Sequence, residues 1–185
     1  MDLGFRMHAE RTPNPNSIKW VLGQAVADVV ASASFSGAVS AEISPLASAI
    51  LDLDGVDGVF LGPTFITVTK AEGVEWTDLA APIVAEIKAW VATGDSAFGP
   101  AFEPPEQADE DDITTRIRVI LERDVRPYVE QDGGEIVFAG YHDGIVEVVL
   151  QGACAGCPSS SITLKMGIEA RLKEEIPEVR SVVAL

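Results

Sequence analysis

Residues 131–160 read QDGGEIVFAGYHDGIVEVVLQGACAGCPSS, and this stretch decides how the second half of the chain folds. Gly133 and Gly134 follow a helical pattern and predict its end, because glycine adopts the left-handed conformation that stops helices. Asp143 and Gly144 lie between two runs rich in β-branched residues, which is typical of a hairpin with a two-residue turn. The stretch therefore predicts a helix end, a hairpin and a turn that carries two cysteines.

The segments on either side of this stretch complete a small domain. Upstream, a helical pattern begins after Asp111 or Asp112, either of which fits the cap position, and we expect Pro127 to kink or end that helix. Downstream, residues 162–172 alternate between apolar and polar, which alone favours a strand. We predict a helix, because an i, i+4 row of apolar residues and strong helix formers are also present. The Val-rich residues 179–185 predict a strand that joins the hairpin.

The first half of the chain predicts a compact α+β unit. Proline and serine mark helix starts, and glycine marks turns, so the boundaries can be placed from local chemistry. In chain order we predict a strand at 18–22, a helix at 46–53 capped by Ser44 and closed by Gly55, a hairpin of 56–61 and 65–70, and a helix at 76–91 in which Pro82 is tolerated only near the first turn.

The distribution of charge predicts two domains. The chain of 185 residues has 13 Lys and Arg against 29 Asp and Glu, a net charge of −16. Residues 101–112 contain six acidic side chains, two prolines and no basic residue, so we expect an extended linker there. The predicted class is α+β with two small domains at 1–100 and 113–185. The second is a helix, hairpin, helix and strand with a small mixed sheet.

Composition also excludes several partners and locations. A strongly acidic chain is repelled by nucleic acid and by anionic membrane surfaces, so neither is an expected partner. No apolar run is long enough for a transmembrane helix. Residues 1–6 lack the features of a signal or transit peptide. We therefore expect a bacterial cytoplasmic protein, with a processed mitochondrial matrix form as the alternative.

Cys154 and Cys157 are the two cysteines of the chain, and their close spacing indicates a metal-binding or redox site. Pro158 suits the first position of a helix, which makes Cys157 the expected N-cap. The positive end of the helix dipole would stabilise thiolate there, and thiolate is the form that both metal binding and redox attack require. We expect the turn to lie partly exposed, so that serine in place of either cysteine perturbs the fold little.

Four interpretations of this pair are open from the residues. A dithiol-disulfide oxidoreductase needs two thiols at a strand-to-helix turn, although little chain follows the motif for a thioredoxin-like sheet. A zinc site needs four ligands, and His8 and His142 are remote in sequence. The two cysteines could also be small buried apolar residues. Finally, two thiolates are half of the four that a [4Fe-4S] cluster takes, so a homodimer would complete the set.

Both halves of the chain carry longer motifs around these positions. The second half has CAGCPSS from Cys154, followed by ITLK and GI, with QDGGE upstream and IPEV downstream. The first half has TPNPNS at 12–17, SPLA at 44–47, FLGP at 60–63 and FITVTK at 65–70. Together these motifs closely resemble the NifU-like (Nfu) iron-sulfur cluster scaffold family, in its two-domain form.

The resemblance implies a carrier and not an enzyme. It implies one [4Fe-4S] cluster shared by a homodimer, with Cys154 and Cys157 of each copy as the metal ligands. The expected partners are upstream cluster assembly proteins and recipient apoproteins, such as aconitase-like or lipoyl-synthase-like proteins. A CxxC dithiol-disulfide oxidoreductase is the alternative function.

Overall fold

The computed structural model describes residues 5–26, 32–103, 112–155 and 158–185, with side chains from residue 162 onward in the last range. The chain divides into two compact units, Met1–Pro104 and Pro105–Leu185. Each unit combines helices with its own sheet and its own buried apolar cluster. The predicted α+β class with two small domains is confirmed.

Five strands and two helices make up the described part of the first unit. They are β1 (Met7–Arg11), β2 (Ser17–Leu22), β3 (Ala33–Ser36), α1 (Pro45–Leu51), β4 (Val56–Leu61), β5 (Phe65–Lys70) and α2 (Trp76–Thr93). The strands form one antiparallel sheet in the order β1, β2, β5, β4, β3. Trp20 and Ile66 of the sheet pack with Ile50 of α1 and Ile83 of α2 in the core. The unit is therefore a sheet with helices packed against it.

The predicted strand, hairpin and helices of this unit are all present, with two additions and one correction. The edge strands β1 and β3 are additional to the predicted elements; they are short, and none of their residues is fully buried. Pro82 lies inside α2 and beyond its first turn, where we did not expect it to be tolerated. The helix continues because its buried side chains, among them Ile83 and Ile87, stabilise it through packing despite the missing N–H group.

Ser44 caps α1 and ties it to a distant loop. Its buried Oγ accepts a hydrogen bond from the Ala47 N–H at 3.1 Å and donates one to the Ala97 carbonyl at 2.7 Å. We expect Ser44→Ala to lower the free energy of unfolding by about 1–2 kcal/mol, because it removes the cap and a buried hydrogen bond. Denaturation followed by tryptophan fluorescence measures this unit, which contains all three tryptophans. Ser36→Ala, at an exposed strand position, is the control, and an equal effect there would contradict the prediction.

The second unit has a helical first half and a mixed sheet crossed by a long helix. Its described elements are α3 (Asp112–Ile120), a π-helical segment (Leu121–Val125), α4 (Arg126–Gln131), β6 (Gly134–His142), β7 (Ile145–Gly152), α5 (Pro158–Glu175) and β8 (Ser181–Ala184). β7 pairs with β6 antiparallel and with β8 parallel. The hairpin, the helix and the final strand are confirmed, and Asp143 and Gly144 have the positive φ angles of the predicted turn. Throughout the described ranges, no helix has the length and apolarity to cross a bilayer.

Of the two outcomes expected at Pro127, a kink or an end of the helix, the end is wrong. Pro127 does not end it, since α4 continues to Gln131. Instead, the π-helical segment precedes the proline, and the Arg126 N–H donates to the carbonyl of Leu121, five residues earlier. Pro127 has no N–H group to donate within a regular helical turn. The helix accommodates it through a longer, π-helical turn immediately before the proline. Asp112 is the first helical residue, and Asp111 lies outside the described residues.

An ion-pair network joins the π-helical segment to α5. Arg123 donates two hydrogen bonds of 2.7 Å to the Asp124 carboxylate, and Arg171 Nε of α5 donates a third at 2.8 Å. The hydrogen bonds from Arg123 have the largest effect on the pKa of Asp124. Together with the bond from Arg171 they lower this pKa to about 2, although desolvation raises it. The carboxylate therefore stays ionised well below the usual range of an aspartate.

This pKa shift predicts a pH-dependent contribution to stability. A carboxylate with a depressed folded-state pKa stabilises the fold above its ordinary value of 3.8, and that contribution is lost as pH falls toward about 2. We expect Asp124→Asn to be less stable than the unmodified protein at pH 7, with the difference closing between about pH 4 and pH 2. Urea denaturation across this range measures it. Glu178→Gln, at an exposed loop position, is the control, and a difference that does not change with pH would contradict the prediction.

α5 is a helix, as predicted, despite its alternating sequence. Ile168 and Leu172 lie in the buried cluster of this unit, with 2% and 0% exposed. Ile162 and Met166 are instead 63% and 68% exposed. The alternation therefore reflects two different surfaces of one helix, and the packed surface is the row that contains Ile168, Leu172 and Ile176.

The outer edge of β8 is occupied by a side chain of α5. The Val182 N–H donates to Glu169 Oε2 at 3.0 Å, so it does not pair with another strand. Lys173 also binds Glu169, and these hydrogen bonds lower the pKa of the Glu169 carboxyl. The carboxylate thus holds a strand N–H that would otherwise be exposed at the sheet edge.

The packed part of the first unit extends into the predicted linker. Phe102 stacks on Phe98 with ring centroids 4.0 Å apart, and the Ala101 N–H donates to the Glu42 carbonyl at 2.9 Å. Both residues belong to the stretch that we expected to be unpacked from residue 101. They pack because Phe102 is a large apolar side chain beside an aromatic partner. Residues 104–111 lie outside the described residues.

Candidate functional site

The cysteine turn lies between β7 and α5 and is attached to the point where α4 stops. Gly133, with φ of 76°, ends this helix as predicted, and its N–H donates to the Glu130 carbonyl. The Gly133 carbonyl in turn accepts a hydrogen bond of 3.1 Å from the Ala153 N–H. The Ala155 N–H donates to the Gly152 carbonyl, which makes the turn tight. The two glycine-containing loops therefore hold each other in place.

Cys154 lies in the core of the second unit. It is 4% exposed and belongs to the buried apolar cluster. This corrects the expectation of an exposed turn for this cysteine, whereas its neighbour Ala155 is exposed. The turn therefore has a packed side and an open side, and a substitution at Cys154 acts on the core as well as on the site.

Gly134 makes the space that the thiol of Cys154 occupies. A Cβ atom at Gly134 would lie 2.7 Å from Cys154 Sγ and 2.7 Å from the Gln151 carbonyl oxygen, both closer than atoms can approach. The sequence favoured a helix end for both glycines over a role in shaping the surroundings of the site, and it indicated no contact between Gly134 and Cys154. The signal was the second glycine of the pair, since Gly133 alone supplies the positive φ that the helix end requires.

Cys157 and Gly156 lie outside the described residues. α5 begins at Pro158, the position expected for a proline at a helix start. The role of Cys157 as N-cap and as second ligand stays a prediction.

The two histidines lie at other positions. His8 is in β1, and its Nε2 is 2.9 Å from Glu10 Oε1 in a hydrogen bond. His142 is exposed at the end of β6. Among the described residues, no three His, Cys, Asp or Glu side chains are arranged to hold a metal ion.

A buried ion pair fixes the start of β6 beside the cysteine turn. Glu135 is 4% exposed, and its Oε1 lies 3.0 Å from Arg126 Nη2 of α4. Arg126 also pairs with Glu122 at 2.8 Å. Because a buried carboxylate is costly without a partner, this pair holds the strand that contains Gly134 against α4. Sequence analysis gave these residues no role, since the pairing joins a helix to a strand.

Comparison with known proteins matches both units to described families. A family described as "Scaffold protein Nfu/NifU N terminal" matches residues 7–94. A family described as "NifU-like domain" matches residues 117–183.

Named relatives match over nearly the whole chain. The "NFU1 iron-sulfur cluster scaffold homolog, mitochondrial" of Drosophila sechellia is 38% identical over 179 residues, which are 95% of this chain and 63% of the relative. The human protein of the same name is 40% identical over 180 residues, 95% of this chain and 70% of the relative. The solution NMR structure of a NifU-like protein from Saccharomyces cerevisiae is 21% identical with a TM-score of 0.45, and covers 53% of this chain and 89% of that protein. The chain thus spans just under two thirds of the length of the Drosophila relative.

Proposed function

The chain belongs to the NifU-like (Nfu) iron-sulfur cluster scaffold family, and from this membership we propose that it binds an iron-sulfur cluster and passes it to recipient apoproteins. The observation that carries the proposal is the 40% identity over 95% of the chain to a human protein named as a cluster scaffold homolog. The similarity includes both units and is not confined to the cysteine motif. The protein acts as a carrier, with the cluster as its cargo.

The cargo is one [4Fe-4S] cluster held between two copies of the chain. Each copy has two cysteines, Cys154 and Cys157, and a [4Fe-4S] cluster takes four thiolates. A homodimer supplies these four with the same surface of each copy. What supports this stoichiometry is the cysteine count.

The arrangement of the cysteine turn suits ligands that must both hold a cluster and release it. Cys154 is buried against Gly134, while Ala155 beside it is exposed. One ligand is then positioned by core packing, and the open side of the turn admits the thiolates of a recipient. Transfer proceeds by exchange of thiolate ligands, and each cysteine has to be deprotonated to bind iron. No chemical conversion of the cargo is required.

The expected partners follow from the proposed role as a cluster carrier. The donors are upstream cluster assembly proteins, and the recipients are iron-sulfur apoproteins of the aconitase-like or lipoyl-synthase-like kind. Both steps need reduced thiols, so we place the protein in a reducing compartment. The bacterial cytoplasm and the mitochondrial matrix both meet that requirement, and the relatives named above are described as mitochondrial.

We also propose that the two units are separate domains joined near residues 101–112, with the cluster site in residues 113–185. Two compact units with their own buried clusters support this division. Limited proteolysis of the full chain should cut first between residues 104 and 111, because an acidic, proline-containing stretch packs poorly. Mass spectrometry locates the cuts, and first cleavage inside either unit would contradict the division.

Cluster transfer in the presence of a chelator tests the proposed function. Protein reconstituted without oxygen is mixed with an aconitase-like apoprotein and a chelator that binds only free iron. We expect activation that the chelator hardly slows, because the cluster passes between thiolates in a complex. Cys157→Ser is the matched control and should activate nothing. Chelator-sensitive activation, together with rapid reduction of a generic disulfide by the metal-free protein, would instead support the dithiol-disulfide oxidoreductase.

A further inference from the structure

Two exposed apolar side chains follow the cysteine turn on the surface of α5. Ile162 is 63% exposed and Met166 is 68% exposed, and their i, i+4 spacing places them on one side of the helix. Gly167 is exposed next to them, and a Cβ atom there would meet no atom within 4 Å. The first half of α5 therefore presents an apolar surface that no described residue covers.

This surface lies close to the site. α5 begins at Pro158, and at about 1.5 Å per residue Ile162 lies about 6 Å along the helix and Met166 about 12 Å. A cluster that bridges two copies brings their cysteine turns within one cluster width of each other. The first turns of α5 are then among the parts of the chain nearest to the second copy.

The charge of the chain also favours contact here. Two copies with a net charge of −16 each repel one another. Residues 148–168, which include both cysteines and the apolar surface, contain no acidic side chain and one lysine, in a chain with 29 acidic residues. Two acidic molecules can therefore approach each other at this stretch without repulsion between carboxylates of the stretch itself.

We propose that a second copy of this chain covers Ile162 and Met166 in the cluster-bridged dimer. The inference rests on the proposed function. Two exposed apolar side chains are few against the roughly 20–30 residues a side of a standard interface, so this contact alone does not hold two copies together. The contact and the cluster stabilise the dimer jointly, and the copies separate when the cargo leaves.

Charge substitution on the full-length protein tests the proposal. Ile162→Glu and Met166→Glu introduce a carboxylate into the contact, and Val119→Glu does the same at a 53% exposed apolar residue of α3. Sedimentation and iron content are measured over a dilution series, with circular dichroism to verify folding. We expect the loaded unmodified protein and Val119→Glu to be dimers and the metal-free forms to be monomers. In the dilution series, the two α5 variants should dissociate and lose iron at protein concentrations at least about tenfold above those at which the unmodified protein does so. The reason is that each variant buries a charge at the contact. Met166→Leu should behave as the unmodified protein.

Two results would overturn the proposal. In one, the α5 variants dissociate at the same concentration as Val119→Glu. In the other, they dimerise normally and deliver the cluster to a recipient more slowly, which would assign the surface to the recipient. Failure of the unmodified protein to bind any cluster is a separate result, because it overturns the proposed function and with it this inference.

Discussion

Serine in place of Cys157 is expected to remove nearly all bound iron from the reconstituted protein. The unmodified protein should contain about four irons and four sulfides per dimer, and each variant chain removes one of two thiolate ligands, so a dimer of variants keeps two of four. Cys154→Ser should have the same effect on iron. Iron and sulfide analysis after anaerobic reconstitution and gel filtration measures both.

The two serine variants should differ in stability. Cys154 is buried, so Cys154→Ser places a hydroxyl in the apolar core and should cost about 1–3 kcal/mol of unfolding free energy. The effect on iron alone therefore does not separate a lost ligand from a disturbed fold at this position. Ala155→Ser adds a hydroxyl to the exposed residue of the same turn and should leave both iron and stability unchanged. Normal iron content in either cysteine variant would contradict the assignment of the site.

Gly134→Ala should destabilise the second unit and reduce cluster loading together. The new Cβ would lie 2.7 Å from Cys154 Sγ and from the Gln151 carbonyl oxygen, and the backbone oxygen cannot rotate away. We expect a loss of about 3 kcal/mol, at the upper end for overpacking of a core, and displacement of Cys154 from its position. Amide hydrogen exchange of β6 and β7 reports the stability of this unit, and iron analysis reports the loading.

Gly167→Ala is the matched control for that substitution in stability. Its Cβ atom would meet nothing within 4 Å, and alanine favours a helix over glycine by up to about 1 kcal/mol. This variant should be as stable as the unmodified protein or more so. Equal stability of the two alanine variants would show that Gly134 does not provide room for the cysteine.

Elements whose signals act within a few residues were predictable from sequence. Ser44 and Pro45 place a helix start, and the Ser44 side chain does cap α1. Asp143 and Gly144 have the backbone conformation of a hairpin turn, and an Asp-Gly pair is a sequence that favours this conformation. Pro158 marked the start of α5. In each case the residue that carries the signal is also the residue that adopts the conformation.

Features that depend on distant residues were not predictable in the same way. The burial of Cys154 requires the missing side chain of Gly134, twenty positions earlier, so the motif itself indicates a turn but not which thiol is packed. Phe102 packs because Phe98 lies beside it, although its local sequence is typical of a linker. The edge strand β1 gains its place from pairing with β2, since its own residues are mostly polar.

The Glu169 carboxylate at the edge of β8 has a consequence for how many copies can assemble. An open strand edge invites another strand, and each added strand presents a fresh edge, so such growth has no natural end. The Val182 N–H is already bound by the Glu169 carboxylate, whose pKa is lowered by Lys173 and by this hydrogen bond. A contact between identical surfaces, by contrast, is complete with two copies. The proposed dimer would be complete in this way, and the occupied N–H of β8 removes one position at which a further copy could add as a strand.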